Sequence, residues 1–465
     1  MILSRSVACL ALLTIAAAPA PAQQLTPAER ARIDSAARTV LAGTGAPSVS
    51  VAVVRGGQLV YEQAYGEARV GIPATPAMRY AIGSVSKQFT AAAILLLAES
   101  GRLSLDDKVS RWFPRLTRAG DVSLRQLLSM TSGYQDYWPQ DYVFSDMMAP
   151  ATADAIMTRW AGRALDFDPG TAWQYSNTNY VIAAAIVERV AAKPFMEFLR
   201  ERIFGRLGMT TVADFDAGPL SASDAAALLR HATGPLREAP KEARGWLFGA
   251  GQLAMTARDL AAWNIALMNQ AVLSPASSRA QQTATLLASG TATSYGLGLN
   301  VAMVGGRRRL SHGGAVSGYT TSNLVYPDDK AAIIVFTNIY PGGGGATGQI
   351  ASRIASIIFA TVDSADSTAL DLARRVYAGL AKGTIDRSLF TANANAFFSD
   401  QVLADYGTSL GQLGEPSDFT ATGSSLRGGL RIRGFRIRAG QVTLDLTMML
   451  RPDGRIEQYV VQRSG

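Results

Sequence analysis

The sequence predicts an α+β protein: an antiparallel sheet packed with helices, followed by a smaller second α+β unit. Three observations lead there. SVSVAVV (48–54) and LVYEQAYG (59–66) are β-rich runs flanking RGGQ, and a Gly-Gly pair between two such runs reads as a hairpin. Helical runs then alternate with loops through the middle of the chain. Between 295 and 340 the strand-like segments YGLGLNVAM, RRRLSHGG, TSNLVYPDD and AAIIVFTNIY form a meander, with Pro327-Asp328-Asp329 as one of its turns. A hairpin first and a meander last imply a sheet whose first and last strands meet, with the intervening helices packed on it.

The elements follow in order. MILSR carries one positive charge, VACLALLTIAAA is a short apolar run, and Ala20-Pro21-Ala22 sets small residues where a signal peptidase cuts. Residues 1–22 therefore read as a signal peptide cleaved after Ala22, which places the mature chain in the periplasm or outside the cell. The apolar run is shorter than the roughly 20 residues of a membrane span, so no membrane span is expected. Thr26-Pro27-Ala28-Glu29 combines a capping box with proline at the first helical position, and Ile33, Ala37, Val40 and Leu41 recur at helical spacing up to Gly43. NYVIAAAIVERVAA (179–192), RDLAAWNIALMNQ (258–270) and ATGQIASRIASIIF (346–359) are further helices. The polar, unpatterned stretch TVDSADST (361–368) marks a boundary, giving a main domain over 23–362 and an accessory domain over 363–465. The latter opens with the helical patterns ALDLARRVYAGLA and DRSLFTANANAFF. It ends with the strand-like runs GLRIRGFRIR, QVTLDLTMML and RIEQYVVQ. Arg431, Arg433, Arg436 and Arg438 alternate with apolar residues there, the pattern of a solvent-facing strand surface.

Composition narrows the chemistry. Hydrophobic residues make up 48% of the 465 residues and charged residues 17%, enough to build a substantial core. Without residues 1–22 the chain keeps 43 basic and 36 acidic residues, a mild +7, and no basic run interleaves with aromatics, so nucleic acid is not an expected partner. Cys9 is the only cysteine and lies in the signal segment, which leaves no thiol or disulfide chemistry. No H-E-x-x-H or Cys-rich cluster calls for a metal, and the Gly342–Gly345 loop lacks the Lys-Ser/Thr of a phosphate loop; neither metal nor cofactor is expected.

The segment AIGSVSKQFTAAAILLLAESG (81–101) carries the functional signal. Ser84 follows a glycine and opens a helix, so Lys87 at i+3 lies on the same face, one turn on. A serine hydroxyl needs an adjacent base to become a nucleophile, and a lysine serves once burial favours its neutral form. Backbone N–H groups at the helix start favour developing negative charge. The alternative is an N-cap serine beside an exposed lysine. Two later segments bear on the choice. In FDPGTAWQYSNTNY, Tyr175-Ser176-Asn177 sits between a Pro-Gly turn and a helix. In RRRLSHGGAVSGY, His312-Gly313-Gly314-Ala315 ends a strand, where paired glycines allow close approach to the backbone.

In this order and spacing the three segments resemble the class C β-lactamase-like serine hydrolases, a family that also includes penicillin-binding carboxypeptidases, D-aminopeptidases and esterases. The resemblance covers about residues 28–360, including GRLSLDDKVSRWFP, LRQLLSMTSG, FMEFLRERIFGRLGM and YGLGL. It departs at Met130, where relatives often carry histidine. The resemblance implies that Ser84 is acylated, and that Lys87 and Tyr175 share the proton work, with Tyr175 a phenolate-like base kept low by the neighbouring ammonium and also the acid that protonates the leaving group. Asn177 would hold Lys87 and the acyl side chain. Ser84 and Ala315 N–H groups would receive the oxyanion, beside His312 and Gly314. Where relatives have Lys-Thr-Gly, a histidine supplies less charge toward a substrate carboxylate. Esters or amides, in the manner of an esterase or D-aminopeptidase, are thus expected ahead of β-lactams or peptidoglycan D-alanyl peptides. A non-catalytic binding protein on the same fold is the third reading. The C-terminal unit looks like the NTF2-like or cystatin-like modules that accompany some hydrolases.

Overall fold

The computed structural model describes residues 24–140, 142–359 and 364–464. The expected signal peptide and residues 361–363 of the expected boundary stretch lie outside these residues; the rest of that stretch, from Ser364, opens a helix where the sequence reads as unpatterned. The chain divides into two compact units, one running through Ile358 and one from Phe359 to the C-terminus.

The first unit is built on a seven-stranded antiparallel sheet. Its hairpin is β1 (Ser48–Arg55) and β2 (Gln58–Arg69), and its meander is β3 (Asn300–Val304), β4 (Arg307–Val316), β5 (Tyr319–Tyr326) and β6 (Ala331–Thr337). The order is Ile72–Pro73, β2, β1, β6, β5, β4, β3. First and last strands therefore meet as expected, with Val51 opposite Val335 and Val53 opposite Ile333. Every residue of β6, and all of β1 but Arg55, is buried, because helices cover both faces of the sheet centre. Helices α1 (Pro27–Thr44) and α5 (Ala346–Ile358) pack together on it, and α4 (Ala257–Asn269) lies against β1, β2 and β6.

Local signals fix several boundaries. The Thr26 hydroxyl accepts from Glu29 N at 3.1 Å while Thr26 N donates to the Glu29 carboxylate at 2.7 Å, closing the capping box of α1. The helix passes through Gly43 and stops at Gly45, whose φ of 65° only glycine adopts without strain. Between hairpin and meander lie α2 (Lys87–Glu99) and α3 (Asn177–Ala191), which pack on each other. All residues of α2 from Lys87 to Leu97 are buried, so it is a core helix apolar on nearly every side.

The second unit packs α6 (Ser364–Leu380) and α7 (Asp400–Gly411) with a four-stranded antiparallel sheet: β7 (Asp418–Arg427), β8 (Leu430–Ala439), β9 (Val442–Leu450) and β10 (Ile456–Arg463). Its core gathers Tyr377, Phe419, Phe435, Ile437, Leu446 and Tyr459. Strand β7, DFTATGSSLR, carries no alternation and escapes the sequence reading. The arginine stripe corrects that reading. Arg436 and Arg438 are exposed, and Arg436 pairs with its cross-strand neighbour Asp445. Arg431 and Arg433, by strand parity, share the face of Phe435 and Ile437, and Arg433 is only 5% exposed.

Candidate active site

Gly83–Ser86 forms a single 3-10 turn leading into α2, so Ser84 precedes the α-helix and makes no cap hydrogen bond. Its hydroxyl instead meets Lys87 Nζ at 2.9 Å. The Lys87 side chain is fully buried. Its amine also donates to Asn177 Oδ1 and to the Ala250 carbonyl, both at 2.8 Å, and lies 5.0 Å from the ring centre of Tyr175 and 5.6 Å from that of Tyr180. Two of the three hydrogen-bond partners can only accept. A neutral amine has two N–H groups for those oxygens and one lone pair left for the third partner, the Ser84 hydroxyl. Burial lowers the Lys87 amine to about 7, against an opposing pull from the Asp136 charge.

Tyr175 sits in the loop before α3 and hydrogen-bonds Ser84. Burial pushes its phenol well above the ordinary range, the Ser84 hydrogen bond pulls it partly back, and the Asp136 charge adds to the rise. This corrects the expectation of a phenolate. The neighbouring lysine is itself drawn toward neutrality, which weakens its hold on the phenol.

Asn177 is the first residue of α3 and is gripped from both sides. Its N–H and Nδ2 donate to Asp136 Oδ1 at 2.9 and 3.1 Å, which turns Oδ1 toward Lys87. Asp136 also accepts from Trp138 N at 3.2 Å, and burial raises its carboxyl against these donors. Met130 holds the same loop from another direction. It occupies the left-handed region at φ 63°, and its thioether accepts from Ser176 N at 3.3 Å and Asn179 Nδ2 at 3.7 Å.

The 3-10 turn packs on the end of β4. A side chain at Gly83 would lie 2.8 Å from Ala315 N, and one at Gly314 would lie 1.9 Å from the Ile82 carbonyl. The second glycine of the pair is thus required by backbone packing, a correction to the idea that it makes room for a ligand. His312 is 5% exposed and uses both ring nitrogens. Nδ1 donates to the Gly313 carbonyl at 2.6 Å, which fixes the tautomer, and Nε2 accepts from the Tyr295 hydroxyl at 2.9 Å. Burial, helped by the Lys87 charge and opposed by the Gly313 carbonyl, lowers it to about 4, so it is neutral near pH 7.

Ser84, Tyr175, Asn177, His312, Gly314 and Ala315 all line one cavity of about 630 Å³, with Asp136, Trp138 and Tyr340 among the other lining residues. Lys87 lies beneath it. Asp136, Tyr295 and the Ala250 carbonyl were missed from the sequence. Each is far along the chain from its partner and belongs to no fixed spacing. Among the described residues no group of three or more His, Cys, Asp or Glu is placed to hold a metal, and no helix is long and apolar enough to cross a membrane.

Comparison with known proteins gives a consistent picture. Penicillin-binding protein 4* of Bacillus subtilis is 29% identical over 305 residues, 62% of this chain and 67% of that protein. A D-aminopeptidase of Brucella anthropi is 28% identical over 323 residues, 67% of this chain; the match spans 59% of the length of that relative. Among solved structures, D-amino acid amidase from Ochrobactrum anthropi SV3 superposes with a TM-score of 0.62 at 23% identity, covering 70% of this chain and 98% of that one. The octameric penicillin-binding protein homologue from Pyrococcus abyssi superposes with a TM-score of 0.62 at 19% identity, covering 94% of this chain and 96% of that one. The Beta-lactamase family model matches residues 33–354, most of the chain, and the chain therefore belongs to the Beta-lactamase family, within the serine-hydrolase superfamily.

Proposed function

We propose that this protein hydrolyses amides and esters through an acyl-enzyme on Ser84. The observation that carries the reading is the buried Lys87 amine, whose two acceptor-only partners leave its lone pair for the Ser84 hydroxyl. In the first step the Ser84 proton passes to Lys87 as Oγ bonds the acyl carbon, and the carbonyl oxygen takes up the negative charge. The Ser84 and Ala315 N–H groups receive it, donors whose individual loss typically costs about 3–4 kcal/mol of barrier. As the intermediate collapses, the bond to the leaving group breaks and Tyr175, protonated near neutral pH, gives that group its proton. Tyr175 regains a proton from the Lys87 ammonium. Water then attacks the acyl carbon with its proton going to Lys87, and Ser84 is released protonated.

The relatives named D-aminopeptidase and D-amino acid amidase support amides as the substrate class. The neutral, fully engaged His312 supplies no fixed cation for a substrate carboxylate, which ranks β-lactams and peptides ending in a free carboxylate lower. The N-terminal segment supports an exported enzyme; Edman sequencing of protein from the periplasmic fraction, beginning at Gln23, tests that. The central test is intact-protein mass spectrometry after incubation with D-amino-acid amides, p-nitrophenyl esters and nitrocefin. Acyl adducts that disappear in Ser84→Ala are expected, with ester and amide turnover exceeding that of nitrocefin. Adducts that persist in Ser84→Ala, or nitrocefin as the best substrate, would overturn it.

A further inference from the structure

Glu242 is 1% exposed, belongs to neither helix nor strand, and takes no part in the proton transfers proposed above. Its Oε1 accepts from Ser317 N at 3.1 Å and from the Ser317 hydroxyl at 2.8 Å. Its Oε2 is buried and meets no hydrogen-bond donor among the described residues. A buried oxygen without a donor costs stability, so the placing of this carboxyl calls for a reason beyond folding. The charged groups nearby do not supply one. Lys241 Nζ donates to the Glu242 main-chain carbonyl at 2.8 Å and lies 4.6 Å from the ring centre of Phe215, while the Asp216 carboxylate is taken up by the N–H groups of Gly245 and Leu247.

What Glu242 joins lies on two sides of Ser84. Ser317 and Gly318 form the two-residue turn between β4 and β5, with Val316 opposite Tyr319, so the residue that Glu242 grips is two places beyond the proposed oxyanion donor Ala315. Gly318 N donates to the Tyr340 carbonyl at 3.1 Å, and a side chain at Gly318 would lie 2.4 Å from Ala227 Cβ, which leaves this tip little room to move. In the other direction the chain runs from Glu242 into the loop that carries an acceptor for Lys87. Asp216 Oδ1 accepts from Gly245 N and Leu247 N, both at 3.0 Å, Gly251 N donates to the Leu247 carbonyl at 2.8 Å, and the Ala250 carbonyl receives Lys87 Nζ. Leu247, Ala250 and Gly251 line the Ser84 cavity. One carboxyl therefore ties the strand end that presents Ala315 N–H to the loop that orients the Lys87 amine. We propose that Glu242 is a positioning residue, which holds the Ala315 N–H and the Ala250 carbonyl in register on either side of the Ser84 hydroxyl without touching substrate. The assignment rests on the Ser84 acyl-enzyme reading.

The test measures kcat and KM for p-nitrophenyl acetate per reactive serine, with Ser84 counted by end-point labelling with a fluorophosphonate, so that unfolded protein drops out of the comparison. A misplacement of about 1 Å caused from outside the chemistry costs on the order of 10²-fold, so Glu242→Ala should lower kcat by roughly 10- to 100-fold with KM little changed. Phenylboronic acid forms a tetrahedral adduct in which Ser84 Oγ bonds boron and a boron-bound oxygen faces the oxyanion donors; its inhibition constant should rise in parallel with the fall in kcat/KM. Glu242→Gln keeps an oxygen for both Ser317 donors and should recover most of the loss. Ser317→Ala deletes one of those donors and should fall between Glu242→Ala and wild type. A Glu242→Ala enzyme as fast as wild type per labelled serine overturns the assignment, as does Glu242→Gln no faster than Glu242→Ala. If Glu242→Ala yields no labelled protein, Ser317→Ala decides, and a wild-type kcat and boronate constant there overturn the assignment. In each of these outcomes wild-type turnover is still lost in Ser84→Ala and the acyl-enzyme stands. No Ser84-dependent turnover in the wild type takes down both readings.

Discussion

Lys87 and Tyr175 reach the same serine from different elements, the first turn of α2 and the loop before α3, and burial moves them in opposite directions. Desolvation penalises whichever form is charged. For the amine that is the protonated form, so Lys87 falls to about 7. For the phenol it is the deprotonated form, so Tyr175 rises. One dry environment thus draws an amine toward its neutral form and keeps a phenol protonated, the forms that the proposed mechanism asks of its base and its acid. The difference teaches that burial and charge sign separate the two groups, whereas the residue types alone leave their proposed proton roles open.

Removing the proposed nucleophile tests the frame of this comparison and has the largest expected effect: Ser84→Ala should lower kcat by roughly 10⁴-fold or more, read in single-turnover assays. Lys87→Arg probes the base directly. A guanidinium stays charged at any assay pH, so hydrolysis of p-nitrophenyl esters and amides should fall together by about 10²–10⁴-fold. Tyr175→Phe sharpens the contrast, because p-nitrophenolate departs without a proton and an amine does not. Amide turnover should drop by about 10²-fold or more and p-nitrophenyl ester turnover by much less. Equal losses on both substrates would sink the division of labour between base and acid.

The pH profile probes the same point without a change of sequence. The proposed mechanism requires the neutral amine, so kcat/KM should rise with pH through about 7 and stay low on the acid side. In Asp136→Asn the charge that favours the ammonium is gone, and the acid limb should move to lower pH. A limb that stays in place would mean that the titrating group is not Lys87. The smallest effect belongs to the loop support. Met130→Leu keeps the volume but removes the acceptor for Ser176 N and Asn179 Nδ2. A stability loss of about 1–2 kcal/mol is expected in urea titrations, with the acid limb unmoved.

Much of the fold was legible because its signals are short in range. The capping box at Thr26, the Gly-Gly hairpin and the turn at Pro327 each act over a few residues, and the structure contains all three. The failures were also physical. Strand β7 is ordered by pairing with β8, although its Thr, Gly and Ser residues carry no alternation. Arg433 follows strand parity onto the core face, where composition argued for solvent. In the site, Ser84 and Lys87 could be read as neighbours, but Asp136 is 41 residues from Asn177 and Tyr295 is 17 from His312.

By itself the sequence determined which reactive groups exist and that a hydroxyl and an amine three residues apart share one side of a helical turn, because backbone geometry fixes that distance locally. The tertiary structure alone decided what those groups are at pH 7. The environment that draws Lys87 toward its neutral form and keeps Tyr175 protonated and His312 uncharged is assembled from distant segments, and the free energy of a charge depends on everything packed around it.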